Sequence, residues 1–175
     1  MAVHIIIDGY NLIKQSPVLS RFDYMDIEKS RNELISRLVA YKKVKKHRIT
    51  VVFDGVKGGS IKQERTRDRG IDVIFSKKGE EADEVIKRAV KVGRERLVVV
   101  TSDRQIVDFS EKRGAAVIPS GDFEMKMEMA TFAEEKGYDG LDDEPVNEAI
   151  QTKKKGPSKK LSKTQRRANV KIKKL

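Results

Sequence analysis

Five short apolar, β-branched runs constrain this chain more than any other feature: Val3 to Ile7, Ile49 to Phe53, Ile71 to Phe75, Leu97 to Val100 and Ala115 to Ile118. Each has the length and composition of a buried strand. Helical periodicity fills the gaps between them. After the capping candidate Asp26, Ile27, Leu34, Leu38 and Tyr41 recur at helical spacing, with Ile35 and Val39 beside them. Ala82, Val85, Ile86, Ala89 and Val90 do the same. Ile106, Val107 and Phe109 fit a third helix closed by Gly114, and Phe123, Met127, Ala130 and Phe132 a fourth after Pro119-Ser120. Strands alternating with helices specify an α/β fold, a three-layer α/β/α sandwich around a mostly parallel five-stranded sheet. Right-handed crossovers make 3-2-1-4-5 the expected strand order.

The chain's 175 residues suit one domain of ordinary core size. No apolar run approaches the roughly 20 residues that cross a bilayer, and no secretion signal is expected at the N-terminus. Cysteine is absent, which excludes disulfides and zinc-cysteine sites and fits a reducing, cytoplasmic setting. His4 and His47 sit apart, so histidine-based metal chemistry is not expected.

The formal net charge of +11 is unevenly placed. Residues 151 to 175 hold eleven Lys or Arg and no acid: Lys153, Lys154, Lys155, Lys159, Lys160, Lys163, Arg166, Arg167, Lys171, Lys173 and Lys174. Removing these eleven from 38 basic residues leaves 27, equal to the 27 acidic ones, so the body is formally neutral. We therefore expect a folded domain over residues 1–140 and a flexible lysine-rich tail over 141–175, disordered when alone. The plain alternative is a solubility tail. Cations on a flexible chain suit phosphate better, because they displace counterions condensed on a polyanion. A membrane surface suits them less, since the tail lacks large apolar residues to insert. The segment from Gly55 to Gly70 carries Lys57, Lys62, Arg65, Arg67 and Arg69 and reads as a mobile basic loop, with a short helix or hairpin in part of it left open, or, more plainly, as a solvated connector.

Acids fall where such a fold places ligands, beyond the carboxyl ends of the strands. Asp8 follows the first run, Asp54 the second and Thr101-Ser102-Asp103 the fourth, while Asp83 opens the helix after the third. With the first and fourth strands adjacent, Asp8, Asp83 and Asp103 are expected to converge. Crowded carboxylates raise one another's pKa, and a divalent cation such as Mg²⁺, satisfied by a few oxygen ligands and waters, removes the conflict. Such an ion suits phosphodiester hydrolysis. Each acid also has a bland role. Asp83 and Asp103 suit helix caps and Asp54 a turn, whereas Asp8 precedes Gly9-Tyr10 with no evident helix start.

In order and spacing, Ile6-Ile7-Asp8-Gly9-Tyr10-Asn11-Leu12-Ile13, Val51-Val52-Phe53-Asp54, Val73-Ile74-Phe75, Glu81-Ala82-Asp83-Glu84 and Val100-Thr101-Ser102-Asp103 resemble the YacP-like NYN domain over roughly residues 1 to 135. The resemblance implies a PIN-like fold and metal-dependent endoribonuclease activity with Mg²⁺ or Mn²⁺. It implies Asp8, Asp83 and Asp103 as catalytic metal ligands, with Asn11 supporting them, Asp54 close by, and Thr101 and Ser102 flanking the last ligand. Arg31 matches a recurrent arginine that meets RNA phosphate or braces an acid. Glu81 departs from the pattern, standing where threonine is expected, and reads as an added ligand or a cap. The lysine-rich tail replaces a longer helical region of some relatives.

RNA, single-stranded, is the expected partner, oriented by the basic loop and Arg31 and held by the tail. A receiver-type phosphotransfer domain is disfavoured because Gly9 follows Asp8 where a second acid is needed. A haloacid-dehalogenase-like phosphatase is disfavoured because Tyr10 stands where its second aspartate belongs. The non-enzyme alternative is an RNA-binding or ribosome-associated protein of the same fold.

Overall fold

β1 (His4–Asp8) sends Ile5 and Ile7 to one face of the sheet and Ile6 to the other, and all three are buried. That two-sided burial is why an unbroken isoleucine run makes a central strand rather than an alternating one. The computed structural model describes residues 3–23, 26–55, 62–135 and 162–175. After β1 come α1 (Gly9–Gln15), α2 (Ser20–Asp23), α3 (Ile27–Lys45), β2 (Arg48–Phe53), β3 (Glu64–Asp68), β4 (Ile71–Phe75), α4 (Ala82–Gly93), β5 (Leu97–Val100), α5 (Arg104–Lys112), β6 (Ala116–Ile118), α6 (Ser120–Glu135) and α7 (Lys163–Lys173).

The sheet is mixed and six-stranded, in the order β3-β4-β2-β1-β5-β6. The expected sheet of five strands in the order 3-2-1-4-5 is thereby corrected to six: β3 is added at the edge, and the five expected strands keep their relative order inside it. β1 pairs parallel with β2 (Ile6 opposite Thr50) and with β5 (Ile6 opposite Val99), which sets the carboxyl ends of β1, β2 and β5 side by side. The added strand, β3, runs antiparallel to β4 and lies within the segment read as a basic loop, where it takes up the hairpin alternative. Its sequence, Glu-Arg-Thr-Arg-Asp, is charged at every position but one, so periodicity could not reveal it. A two-residue turn closes the hairpin, with positive φ at Arg69 (45°) and Gly70 (88°), the twist that short hairpins favour. Charged side chains on this outer edge also discourage pairing with another chain.

One face of the sheet packs Leu12, Leu34, Leu38, Tyr41, Phe123 and Met127 from α1, α3 and α6. The other packs Ala82, Val85, Ile86 and Val90 of α4 and Ile106 of α5. Three residues expected on apolar helix faces lie outside these cores: half-buried Val107 on α5, Ile27, which is 45% exposed, and Phe132, which is 57% exposed. Ile27 and Phe132 stand near a helix end, where the buried stripe has run out.

The larger correction concerns the tail. Residues 136–161 lie outside the described residues, but 162–175 carry the helix α7, docked on the body with Ala168 and Ile172 against the core and Leu175 buried. A capping box between Ser162 and Gln165 starts it. Its far end is tied down by hydrogen bonds. The Tyr41 hydroxyl donates to the main-chain oxygen of Leu175 at 2.9 Å, and His47 Nε2 lies 3.1 Å from the oxygen of Lys174. Because His47 Nδ1 accepts from Val3 N–H at 3.4 Å, Nε2 carries the proton and is the donor. The apolar residues that dock α7 are spaced among lysines and arginines, so the charge of this segment hides its single buried stripe.

Tyr41→Phe leaves the Leu175 oxygen without its buried donor. Chemical denaturation should show a loss of about 1 kcal/mol, and amide exchange should quicken across 163–173 while α4 and α5 keep their protection.

Candidate active site

The site is built where β1 and β5 end side by side and their connections leave in opposite directions. Asp8, the last residue of β1, is 8% exposed. Its Oδ1 accepts the Asn11 N–H at 3.2 Å, which makes Asp8 the N-cap of α1. A helix begins at Gly9, where the sequence gives no evident start. The sequence signal was weak because Gly9 replaces an ordinary first-turn residue, and a Cβ there would lie 2.2 Å from the Phe53 ring. Asp8 Oδ2 accepts the Thr101 hydroxyl at 3.1 Å.

Thr101 is fully buried and joins two acids, since its Oγ1 also accepts the Asp103 N–H at 3.1 Å. The Asp103 side chain caps α5 through Gln105 N–H (2.8 Å) and Ile106 N–H (3.2 Å). Asn11 completes the staple between β1 and β5. Its Oδ1 accepts from Ser102 N–H at 2.8 Å and from the Ser120 hydroxyl at 2.7 Å, while Ser120 N–H donates to Ser102 Oγ at 3.2 Å. Thr101, Ser102 and Asn11 were expected in support of the acids. Ser120 was not, because a serine opening a helix gives no sign of pointing back at residue 11.

Asp83 and Asp54 approach from the other side of Asp8. Asp83, in the first turn of α4, is half-buried and 3.6 Å from Lys87. Asp54 Oδ1 accepts the Ala82 N–H at 2.6 Å, whereas Glu81, at the N-cap position, makes no side-chain capping bond and is exposed. Asp54 therefore caps α4 from a different strand and fixes the turn that carries Asp83. Gly55 helps to hold Asp54 in place: its N–H donates to Ser76 Oγ at 2.9 Å, and a Cβ would meet the Ser76 carbonyl oxygen at 2.3 Å. Glu80, which sequence reading passed over, is buried and paired with Arg88, and Arg88 also donates to Gln63 Oε1 at 3.3 Å, tying α4 to the entry of β3.

The acids sense one another. Burial pushes the Asp8 carboxyl up to about 6, against the hydrogen bonds from Asn11 and Thr101, and the charges of Asp83 and Asp54 push the same way. Asp83 is also raised, first by burial and then by Asp103 and Glu81, with Lys87 opposing. Yet the expected convergence of three carboxylates on one ion is not formed: among the described residues no three acidic or histidine side chains stand close enough to hold a metal. Both oxygens of Asp8 are turned to the Asn11 N–H and the Thr101 hydroxyl, Oδ1 of Asp103 to its capping N–H groups, and Asp83 leans to Lys87. In chemistry, though not in placement, these carboxylates are oxygen donors of the kind that suit a hard cation keeping several waters.

The expected RNA-contacting cations are dispersed. Arg31 stacks over the Phe75 ring at 5.4 Å, extending an aromatic row in which Phe53 lies 5.6 Å from Phe75 and Tyr10 5.1 Å from Phe53. Lys62 and Arg65 are exposed at the end of β3 that pairs with the carboxyl end of β4. Arg67, 3.9 Å from Asp72, and Arg69, 3.1 Å from Asp68, sit toward the opposite end, away from the acids. Arg166 and Arg167 stand on α7. Lys57, Lys153, Lys154, Lys155, Lys159 and Lys160 lie outside the described residues.

A family model described as YacP-like NYN domain matches residues 5–174, so the match runs through α7. An uncharacterized protein YacP of Bacillus subtilis is 33% identical over 84 residues, covering 48% of this chain and 49% of that protein. The chain thus aligns with about half the length of that curated relative. The crystal structure of Rae1 (YacP) from Bacillus subtilis superposes with a TM-score of 0.63 at 27% identity, covering 79% of this chain and 80% of that one. A mutant of the same protein gives 0.65 at 25% identity, covering 78% and 80%.

Two outcomes follow from the site. Asp8 titrates higher when folded than when unfolded, so its ionisation weakens the fold as pH rises from about 4 through about 6, and the loss persists above that window. In chelator-containing buffer Asp8→Asn, which keeps a cap acceptor, should be more stable than the parent near pH ~7.5 by at most about 3 kcal/mol, with the gap closing near pH ~4. Asp54→Ala should cost about 1 kcal/mol and speed amide exchange at residues 82–84, whereas Asp54→Asn, keeping the acceptor, should not.

Proposed function

The chain belongs to the YacP-like NYN domain family, and from that premise we propose that it is a metal-dependent endoribonuclease that hydrolyses phosphodiester bonds in single-stranded RNA. The observation that carries the reading is Asp8: a buried carboxyl at the switch point of the sheet, pushed up to about 6, with Asp83 and Asp54 adding negative charge around it. A purely structural cap at a strand end has no need of neighbouring acids. A divalent cation relieves their repulsion and restores a fully ionised cluster.

Asp8, Asp83 and Asp103 are the residues that would hold Mg²⁺ or Mn²⁺. Bound there, the ion supplies Lewis-acid activation of water and charge neutralisation at the phosphate. The protein's own part is orientation. Thr101 fixes the rotamer of Asp8 through one hydrogen bond and the start of α5 through another. Asn11 locks the Ser102 backbone, so the β5 loop keeps its distance from β1. Asp54 sets α4 and so sets Asp83. Glu81, exposed beside them, is available as a further oxygen donor. Lys62 and Arg65, with Arg31 braced on Phe75, are suited to meet phosphates of a strand lying along this edge.

One observation favours the second reading, a non-catalytic RNA-binding protein: the acids as placed form no three-ligand group. Cleavage separates the two. Purified protein with labelled RNA and Mg²⁺ or Mn²⁺ should give products with 5′-phosphate and 3′-hydroxyl ends, and chelator or Asp8→Asn should abolish them. Thr101→Val should lower kcat by about 10- to 100-fold, as loss of a group orienting a ligand does. Products ending in 2′,3′-cyclic phosphate, or binding with no cleavage under either metal, would overturn the nuclease.

A further inference from the structure

We infer that the outward face of α7 is a second RNA contact, remote from the acidic edge, which grips a distant stretch of the same RNA chain and biases the protein toward long substrates. That the RNA is a substrate rests on the ribonuclease reading above; the contact itself does not.

The first ground is charge. From Ser162 to Leu175 the chain carries Lys163, Arg166, Arg167, Lys171, Lys173 and Lys174 and no acidic side chain. Arg167 is drawn to Glu95 at 3.0 Å, and Lys171, half-buried, feels the same Glu95. Lys163, Arg166, Lys173 and Lys174 are exposed and form no ion pair among the described residues. A helix that spends its apolar residues, Ala168 and Ile172, on docking and turns its cations outward presents a polyanion with point charges at fixed spacing. Its N-terminus is closed by its own capping box, so contact would come from side chains rather than free N–H groups. Val170 is its one large apolar residue exposed, too little to bury against lipid or a hydrophobic protein face.

The second ground is position. Thr164, at the start of α7, lies near Gly114, which precedes β6, and Lys174, at its end, is bonded to His47, which precedes β2. α7 therefore spans the amino ends of the strands. Asp8, Asp54 and Asp103 stand at the carboxyl ends. β1 is five residues long, which puts at least about 15 Å between the two edges. At a stacked rise a strand of about 4 nucleotides covers about 10 Å, short of that separation, while one of about 20 nucleotides far exceeds it.

The test uses the full chain with Lys163, Arg166 and Lys173 each changed to glutamine, positions that leave Ala168, Ile172, Leu175 and the Tyr41 and His47 bonds in place. Binding to a labelled RNA of about 20 nucleotides should show a salt slope shallower by about 2 in log–log form, at roughly 0.7 for each phosphate no longer neutralised. The ratio of kcat/KM for that RNA over one of about 4 nucleotides should fall, through KM rather than kcat. An unchanged slope, an equal fall in kcat/KM on both RNAs, or weakened adsorption to anionic lipid vesicles with RNA binding intact would each overturn the inference. If the parent cleaves neither RNA but the variant still flattens the slope, the nuclease reading fails and the second contact stands.

Discussion

Asp8 ends the central strand with its carboxyl almost out of water, taking one hydrogen bond from the Asn11 N–H and one from the Thr101 hydroxyl. A group in that position is stable only if its neighbours are fixed, because a buried acceptor left unmatched costs on the order of 1–3 kcal/mol. The neighbours are fixed by chain topology. β2 and β5 flank β1, α1 leaves on one face of the sheet, and α4 and α5 pack on the other. The crevice this opens at the strand ends is where Thr101, Asn11, Ser102 and Ser120 interlock. Those bonds join the two halves of the fold and, in the same act, orient the acid.

The framework was legible because burial dictates composition. Strands covered on both faces must be apolar at nearly every position, and Val3 to Ile7 or Leu97 to Val100 could hardly be anything else. β3 and α7 were not legible for the converse reason. β3 has one neighbour and a charged face to solvent, so it is held by backbone pairing to β4 and by the turn at Arg69-Gly70 rather than by its side chains. α7 buries one narrow stripe, Ala168, Ile172 and the following Leu175, within a run otherwise rich in lysine. Composition averaged over the tail reported the charge and lost the stripe.

The site was legible at the level of which acids gather, and less so at the level of what each does. An aspartate after a strand is common to capping and to ligand binding, and here Asp8 and Asp103 cap their own helices while standing in the acidic crevice. Asp54 was weighed as a turn residue, yet it caps a helix 28 positions later in the chain, a partnership that no local pattern encodes. Ser120 and Glu80 were missed on the same ground: their partners are Asn11 and Arg88, and only the folded chain brings either pair together.

The distribution of charge over the two edges of the sheet follows from the direction of its helices. α1, α4 and α5 begin at the carboxyl ends of the strands, so their positive dipole ends and unsatisfied N–H groups face the crevice, and Asp8, Asp54 and Asp103 take hydrogen bonds from them. α3 ends at the opposite edge with Lys42, Lys43 and Lys45 in its last turn, and α7 brings Lys171 and Lys173 to the same side. Carboxylates are thus gathered where helix N-termini offset part of their repulsion, and cations where helix C-termini do the same for theirs. Helix ends act only over about one turn and contribute roughly 0.3–1 kcal/mol per charge, so they tolerate an acidic cluster rather than neutralise it. The carboxyls of Asp8 and Asp83 stay raised all the same, first because burial disfavours their charged forms and then because neighbouring acids add to it.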